Sequence, residues 1–472
     1  MKSSIAFFCT AGGGQTAKWV GQCPTCGEWN TLVRRDVARP AGVTRPGPAA
    51  GAAGGAAPQA LGLATPQSTL RLSTGLAEFD RALGGGLIPG SVTLLGGDPG
   101  IGKSTLLLQA GTALGVAGRR VVYISGEESV DQIRMRAARL GLTEAPMALA
   151  AATQLGDILA SLTQFPDAAL VVIDSIQTMW TDGVDSAPGS VTQVRAAAFE
   201  LIRAAKTQGF ALMLVGHVTK EGNIAGPRVL EHMVDVVLHF EGDRGHHFRI
   251  LRGIKNRFGA TDEIGVFEMT GAGLAEVANP SALFLAERRG NVAGSAVFAG
   301  LEGSRPVLME IQVLLSPNPG GSPRRSVIGW ESGRLSMLLA VLDARCGLKL
   351  AMNDVYLNVA GGLRITEPAA DLAVAAALIS AASDVPTDPS MVFFGEIGLS
   401  GELRQVAQAE LRLKEAAKLG FSQAASPKRV AGGAARLSVP NALKLVEIGH
   451  LTDLIGVATS GVKPAVRNKE VS

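Results

Sequence analysis

The 472-residue chain contains nothing approaching the ~20 uninterrupted apolar residues of a membrane-spanning helix, even in the Ala-rich stretch from Asp371 to Ala382. No membrane partner is expected. No leader is expected either: Met1 to Cys9 holds one Lys and an apolar run of only Ile5 to Phe8, whereas a secretory core needs about 7–15 apolar residues. The expected localisation is cytoplasmic. Charge imbalance is small, 44 Lys plus Arg against 41 Asp plus Glu for a net charge of +3, so any anion binding must be local rather than a property of the whole surface. Cysteine is scarce, at four residues, and Cys9, Cys23 and Cys26 crowd into the N-terminus. In a cytosolic chain that crowding points to metal rather than disulfide chemistry. Cys346 stands alone and is expected to be a small buried hydrophobe. No tandem repeat is seen at solenoid periods.

What is abundant is glycine, 59 residues, in a chain that is 47% apolar, the balance of an α/β protein with strands and helices joined by tight turns. The length suggests two or three domains. From Ala38 to about Pro66 the chain is nearly all Ala, Gly and Pro, unable to bury enough apolar surface to offset its ordering entropy. It reads as a linker. Beyond it, Ser91–Gly96, Val121–Ser125, Leu170–Asp174 and Ala211–Gly216 are continuously apolar runs, the pattern of parallel strands buried on both faces. After Asn279 the pattern restarts with Ser295–Ala299, Val307–Leu315, a helix from Gly333, a strand at Asp354–Val359 and a helix from Glu367. The expected divisions are residues 1–35, a linker at 36–68, a core at 69–275 and a second α/β domain at 280–472.

Gly97-Asp98-Pro99-Gly100-Ile101-Gly102-Lys103-Ser104 satisfies G-x-x-x-x-G-K-[ST] between a predicted strand and a helix beginning at Thr105. Its glycines let backbone N–H groups turn toward phosphates, Lys103 supplies a cation to the β and γ oxygens, and Ser104 offers a hydroxyl to Mg²⁺. ATP and Mg²⁺ are the implied ligands. Asp174 ends a strand and suits a magnesium-holding carboxylate. Glu127, in Ser125-Gly126-Glu127-Glu128, is the candidate general base; Glu128 reads equally as an acidic residue favouring the next helix's dipole. His217 closes another strand and serves as a γ-phosphate sensor or a structural histidine. The polar, Gly-rich loop from Lys220 to Arg228 reads as solvated by composition.

Lys255-Asn256-Arg257-Phe258-Gly259 has no generic reading, but with the P-loop, the Ser125–Ser129 run and the N-terminal cysteines it resembles the RadA/Sms family of bacterial recombination and repair ATPases. The resemblance spans nearly the whole chain. It implies a zinc finger, a RecA-like P-loop core and a C-terminal α/β domain similar to that of Lon protease. It further implies a DNA-dependent ATPase working as a hexameric ring on single-stranded and branched DNA, driving branch migration beside a RecA-type recombinase. Lys255 and Arg257 would then reach a neighbour's nucleotide. By position the DNA loops would fall at Thr178–Ser190 and Thr219–Glu231, making Lys220 and Arg228 the phosphate-contact candidates.

Two features depart from that pattern. The family's finger has two Cys-x-x-Cys pairs; Cys23-Pro24-Thr25-Cys26 is intact, but the first pair reads Cys9-Thr10-Ala11-Gly12. Three thiolates leave a structural zinc site open, and retention or loss of Zn²⁺ are both compatible with it. In the protease-like domain Glu367-Pro368-Ala369-Ala370-Asp371 occupies the nucleophile stretch, and the expected lysine falls close to Glu410. With Ala369 and Glu410 there is no Ser-Lys pair, so proteolysis is not expected. An ATP-gated oligomeric scaffold without motor activity is the alternative to a DNA motor.

Overall fold

A computed structural model describes the chain except residues 1–3, 11–14, 17, 30, 38–69, 143–145, 217–228, 243–246, 262, 287, 289–290, 319, 430–436 and 460–472. Gly12, residues 38–68 of the expected linker, His217, Lys220 and Arg228 lie outside the described residues, whereas Asp36 and Val37 end a strand rather than open the linker. Chain contacts divide at Gln67/Ser68 into two units.

In the first unit, strands Gln15–Thr16, Ser4–Cys9 and Leu32–Val37 form an antiparallel sheet in that order. Cys23 to Cys26 make a tight turn. The Gly27 N–H donates to the Cys23 carbonyl at 2.8 Å and the Cys23 N–H to that of Glu28 at 2.9 Å. Gly27 closes the turn at φ 75°, a conformation that costs glycine little.

The second unit holds two large sheets. The first has nine strands in the order Gly273–Glu276, Ile264–Thr270, Phe248–Asn256, Val236–Glu241, Val92–Gly97, Ala211–Val215, Ala168–Asp174, Arg120–Ser125 and Met147–Ala151. From Val236–Glu241 to Met147–Ala151 every pairing is parallel. The strand Val92–Gly97 is buried throughout, as its unbroken apolar run requires when helices cover both faces. Beyond the parallel part the sheet continues through antiparallel strands, an extension that the apolar runs did not indicate.

The other sheet orders Arg325–Ile328, Asn353–Val359, Arg305–Pro317, Ser295–Glu302, Met391–Phe393, Gln423–Pro427 and Lys444–Ile448. Against it lies the helix Asp371–Ser383, whose residues Asp371 to Ser380 are all buried. A helix apolar on every side can only be an interior one. The helix Ser332–Cys346 ends in a half-buried Cys346, less enclosed than expected from sequence, with burial pushing its thiol pKa up.

The two sheets share apolar packing. Ile250, Ile264 and Val266 of the first belong to the same core as Phe284, Val297 and Leu308 of the second. Two ion pairs accompany them. Arg305 meets Glu78 with both side chains buried, and Arg252 reaches Glu302 at 2.5 Å.

Candidate nucleotide site

The strand Val92–Gly97 delivers the chain into the phosphate loop, and the helix Lys103–Val116 leaves it. Gly97, Gly100 and Gly102 adopt φ of 152°, 78° and 116°. At two of these positions space also demands glycine. A Cβ on Gly97 would come within 2.6 Å of the Phe240 carbonyl oxygen, and one on Gly102 within 2.9 Å of Met269 Cε. Lys103 is buried; its Nζ donates to the carbonyls of Gly97 at 2.7 Å and Asp98 at 2.9 Å. Burial lowers its pKa, while the carboxylates of Asp174, Glu127 and Asp98 act in the opposite direction. The ammonium therefore stands at the mouth of the helix among carboxylates, where a phosphate and its metal would complete the charge balance.

Asp174 ends the strand Ala168–Asp174 beside the strand Arg120–Ser125, pairing in register with Ser125. Its Oδ2 accepts from the hydroxyl of Tyr123 at 2.5 Å. Glu127 Oε1 accepts from the Ser175 hydroxyl at 2.6 Å, and a cleft of about 310 Å³ opens beside it between Ser125–Ser129 and Ala151–Thr153. The approach depends on Gly126, where a Cβ would fall 2.1 Å from Thr178 Oγ1. Glu128 pairs instead with Arg136 of the helix Val130–Arg139, so the two adjacent glutamates part company. Tyr123, Ser175 and Gly126 were not singled out by sequence. The signal for Tyr123 was present: a hydroxyl in the otherwise apolar run Val121–Ile124 must find a partner when buried.

Lys255 and Arg257 are not brought to this phosphate loop. Asn256 pairs with Val236, whereas Gly97 pairs with Phe240. Four residues of strand, at ~3.3 Å each, put the motif about 13 Å away at the opposite end of the sheet. There Lys255 Nζ donates to the carbonyls of Glu231 at 2.7 Å and Val234 at 2.8 Å. Arg257 pairs with Asp235 at 3.3 Å, its own side chain 55% exposed. Asn256 donates to the Leu83 carbonyl and its oxygen accepts from the Phe258 N–H, fixing the turn. In the Thr178–Ser190 loop, Gln193 is the organiser: its amide donates to the carbonyls of Thr181, Val184 and Ser186. That loop carries Asp182 and Asp185 and neither Lys nor Arg.

An AAA domain model matches residues 64–223, enclosing the phosphate loop, Glu127 and Asp174. A "DNA repair protein RadA" from Brucella abortus (strain 2308) is 53% identical over 475 residues, covering 98% of this chain and 99% of its own. The chain belongs to the RadA family. Other members are 47% identical in Halalkalibacterium halodurans, covering 97% of this chain and 99% of that protein, and 45% in Bacillus subtilis (strain 168), covering 98% and 100%. A solved chain titled "Crystal structure of the RadB recombinase" is 22% identical, covering 44% of this chain and 99% of its own, at a TM-score of 0.35. With the AAA domain comes ATP hydrolysis, and with it the ligands ATP and Mg²⁺.

Other matches mark the flanking parts of this RadA-family chain: a rubredoxin metal binding domain at residues 7–34 and the subunit ChlI of Mg-chelatase at 335–429. In the first, Cys23 is buried and Cys26 exposed. Among the described residues no group of three His, Cys, Asp or Glu can hold a metal. In the second, Ala369 is 2% exposed. Asp371, fully buried, accepts from Arg334 at 2.5 and 2.6 Å and from the Ile397 N–H at 3.0 Å. Glu410 accepts from the Ser438 N–H at 2.8 Å. Among the described residues no helix is long and apolar enough to cross a membrane.

Proposed function

We propose that the chain is a DNA-dependent ATPase of homologous recombination and repair, assembling as a homo-hexameric ring that drives branch migration beside a RecA-type recombinase in the cytoplasm. ATP lies at the subunit boundary. The Gly97–Thr105 loop holds its phosphates, Ser104 and Asp174 hold magnesium, Glu127 orients the attacking water, and His217 reports the γ-phosphate. Magnesium supplies charge neutralisation on the β and γ oxygens. Lys220 and Arg228 contact the DNA backbone. The C-terminal domain acts as a scaffold rather than a protease.

The observation that carries this reading is the strand register of Lys255 and Arg257. At the far end of the sheet from their own phosphate loop, they are suited to a neighbour's nucleotide. An arginine arriving from the next subunit stabilises charge only as the transition state forms. Arg257→Ala should therefore keep ATP affinity and lose turnover by about 10³-fold. Mixing it with Lys103→Ala should restore part of the turnover, because mixed boundaries pair an intact loop with an intact arginine. Normal turnover in Arg257→Ala would remove the trans role. One feature favours an ATP-gated scaffold: the loop at Thr178–Ser190 presents Asp182 and Asp185 and no cation. Phosphate contacts give DNA binding that weakens steeply with salt; the scaffold shows no such binding.

A further inference from the structure

Asp174 ends the strand Ala168–Asp174, and one oxygen of the neighbouring strand holds its carboxylate. Tyr123 lies in the strand Arg120–Ser125 with 1% of its surface exposed. Its hydroxyl sits 2.5 Å from Asp174 Oδ2. A phenol has one proton, and an ionised carboxylate can only accept. Tyr123 must therefore donate to Asp174. The Asp174 carboxylate is anchored by a neutral partner, which takes up none of its negative charge.

We propose that Tyr123 is a positioning residue that orients Asp174 for magnesium, and thereby sets the magnesium concentration at which nucleotide is held tightly. The inference rests on the ATP-hydrolase reading of this site and adds to it a residue outside every phosphate-loop motif. Without the phenol Asp174 loses an anchor, while the phosphate cradle is untouched. The expected signature is confined to the metal.

The test uses the full chain and a fluorescent ADP analogue, titrated in EDTA and then with Mg²⁺. Tyr123→Phe removes one oxygen and keeps the ring. Its affinity in EDTA should match the parent, while the Mg²⁺ midpoint rises about tenfold, the scale of one lost hydrogen bond to a charged group. A midpoint within twofold of the parent, or an equal loss of affinity in EDTA, overturns the proposal. If the parent binds no nucleotide, the nucleotide-site reading itself fails. A second measurement needs no substitution at Tyr123. The chain has two tyrosines, so 3-fluorotyrosine gives two ¹⁹F resonances, with the part-exposed Tyr356 as internal control. The Tyr123 resonance should move when Mg²⁺ joins the nucleotide complex and stay still with nucleotide in EDTA; no movement with Mg²⁺ overturns the proposal.

Discussion

The phosphate loop and the protease-like corner around Asp371 both place carboxylates and a cation at the mouth of a helix, yet they resolve the charge in opposite ways. At the loop, Asp174 is held by the neutral phenol of Tyr123, and Lys103 Nζ donates to backbone carbonyls. Around Asp371 the carboxylates meet guanidinium groups: Asp371 takes both donors of Arg334, and Glu367 takes Arg412 at 2.6 Å with Arg412 itself buried. A carboxylate anchored by a hydroxyl keeps its charge for a ligand, whereas one locked to arginine has spent it on the fold. The first arrangement is a site, and the second is a staple.

The sharpest break in that contrast should come at Glu127. Glu127→Gln keeps the shape and the hydrogen bond from Ser175 but removes the base, so kcat should fall by about 10²-fold or more with ATP affinity retained. Single-turnover hydrolysis beside equilibrium binding separates the two quantities; a normal kcat would dismiss Glu127 as the base. At the staple the loss should appear in stability. Arg334→Met strands the fully buried Asp371, a change worth about 3 kcal/mol, to be read as a lower denaturant midpoint. No loss of stability would mean that Asp371 keeps a charge it can offer. The smallest effect is expected from rebuilding the Ser-Lys pair as Ala369→Ser with Glu410→Lys. Casein should remain uncut with ATP, because position 369 is enclosed and Asp371 stays locked to Arg334. Cleavage would make the corner a dormant site.

Local signals carried well from sequence and tertiary ones did not. The phosphate loop was legible because a motif, a strand and a helix coincide within a few residues around Gly97 to Ser104. The parallel strands were legible from unbroken apolar runs. Tyr123 was hidden inside such a run, since nothing local says that its hydroxyl faces Asp174, 51 positions away. Arg305 and Glu78, 227 positions apart, could not be matched by any window. The same limit hid the antiparallel extension through Phe248–Asn256, whose exposures alternate only in part because Ile250 packs into the core shared with the C-terminal sheet while Leu251 packs into another. Lys255 and Arg257 were picked out by resemblance alone; their place at the far end of the sheet came from strand register.

The central claim is that one phosphate loop powers work on DNA. Steady-state ATP hydrolysis by the full chain, with and without single-stranded DNA at moderate salt and with Lys103→Ala as the blank, tests it most directly. The account predicts turnover that rises with DNA, weakens as salt increases and vanishes in the Lys103 variant. Turnover indifferent to DNA, with no DNA binding even at low salt, would contradict the motor and leave the scaffold reading in its place.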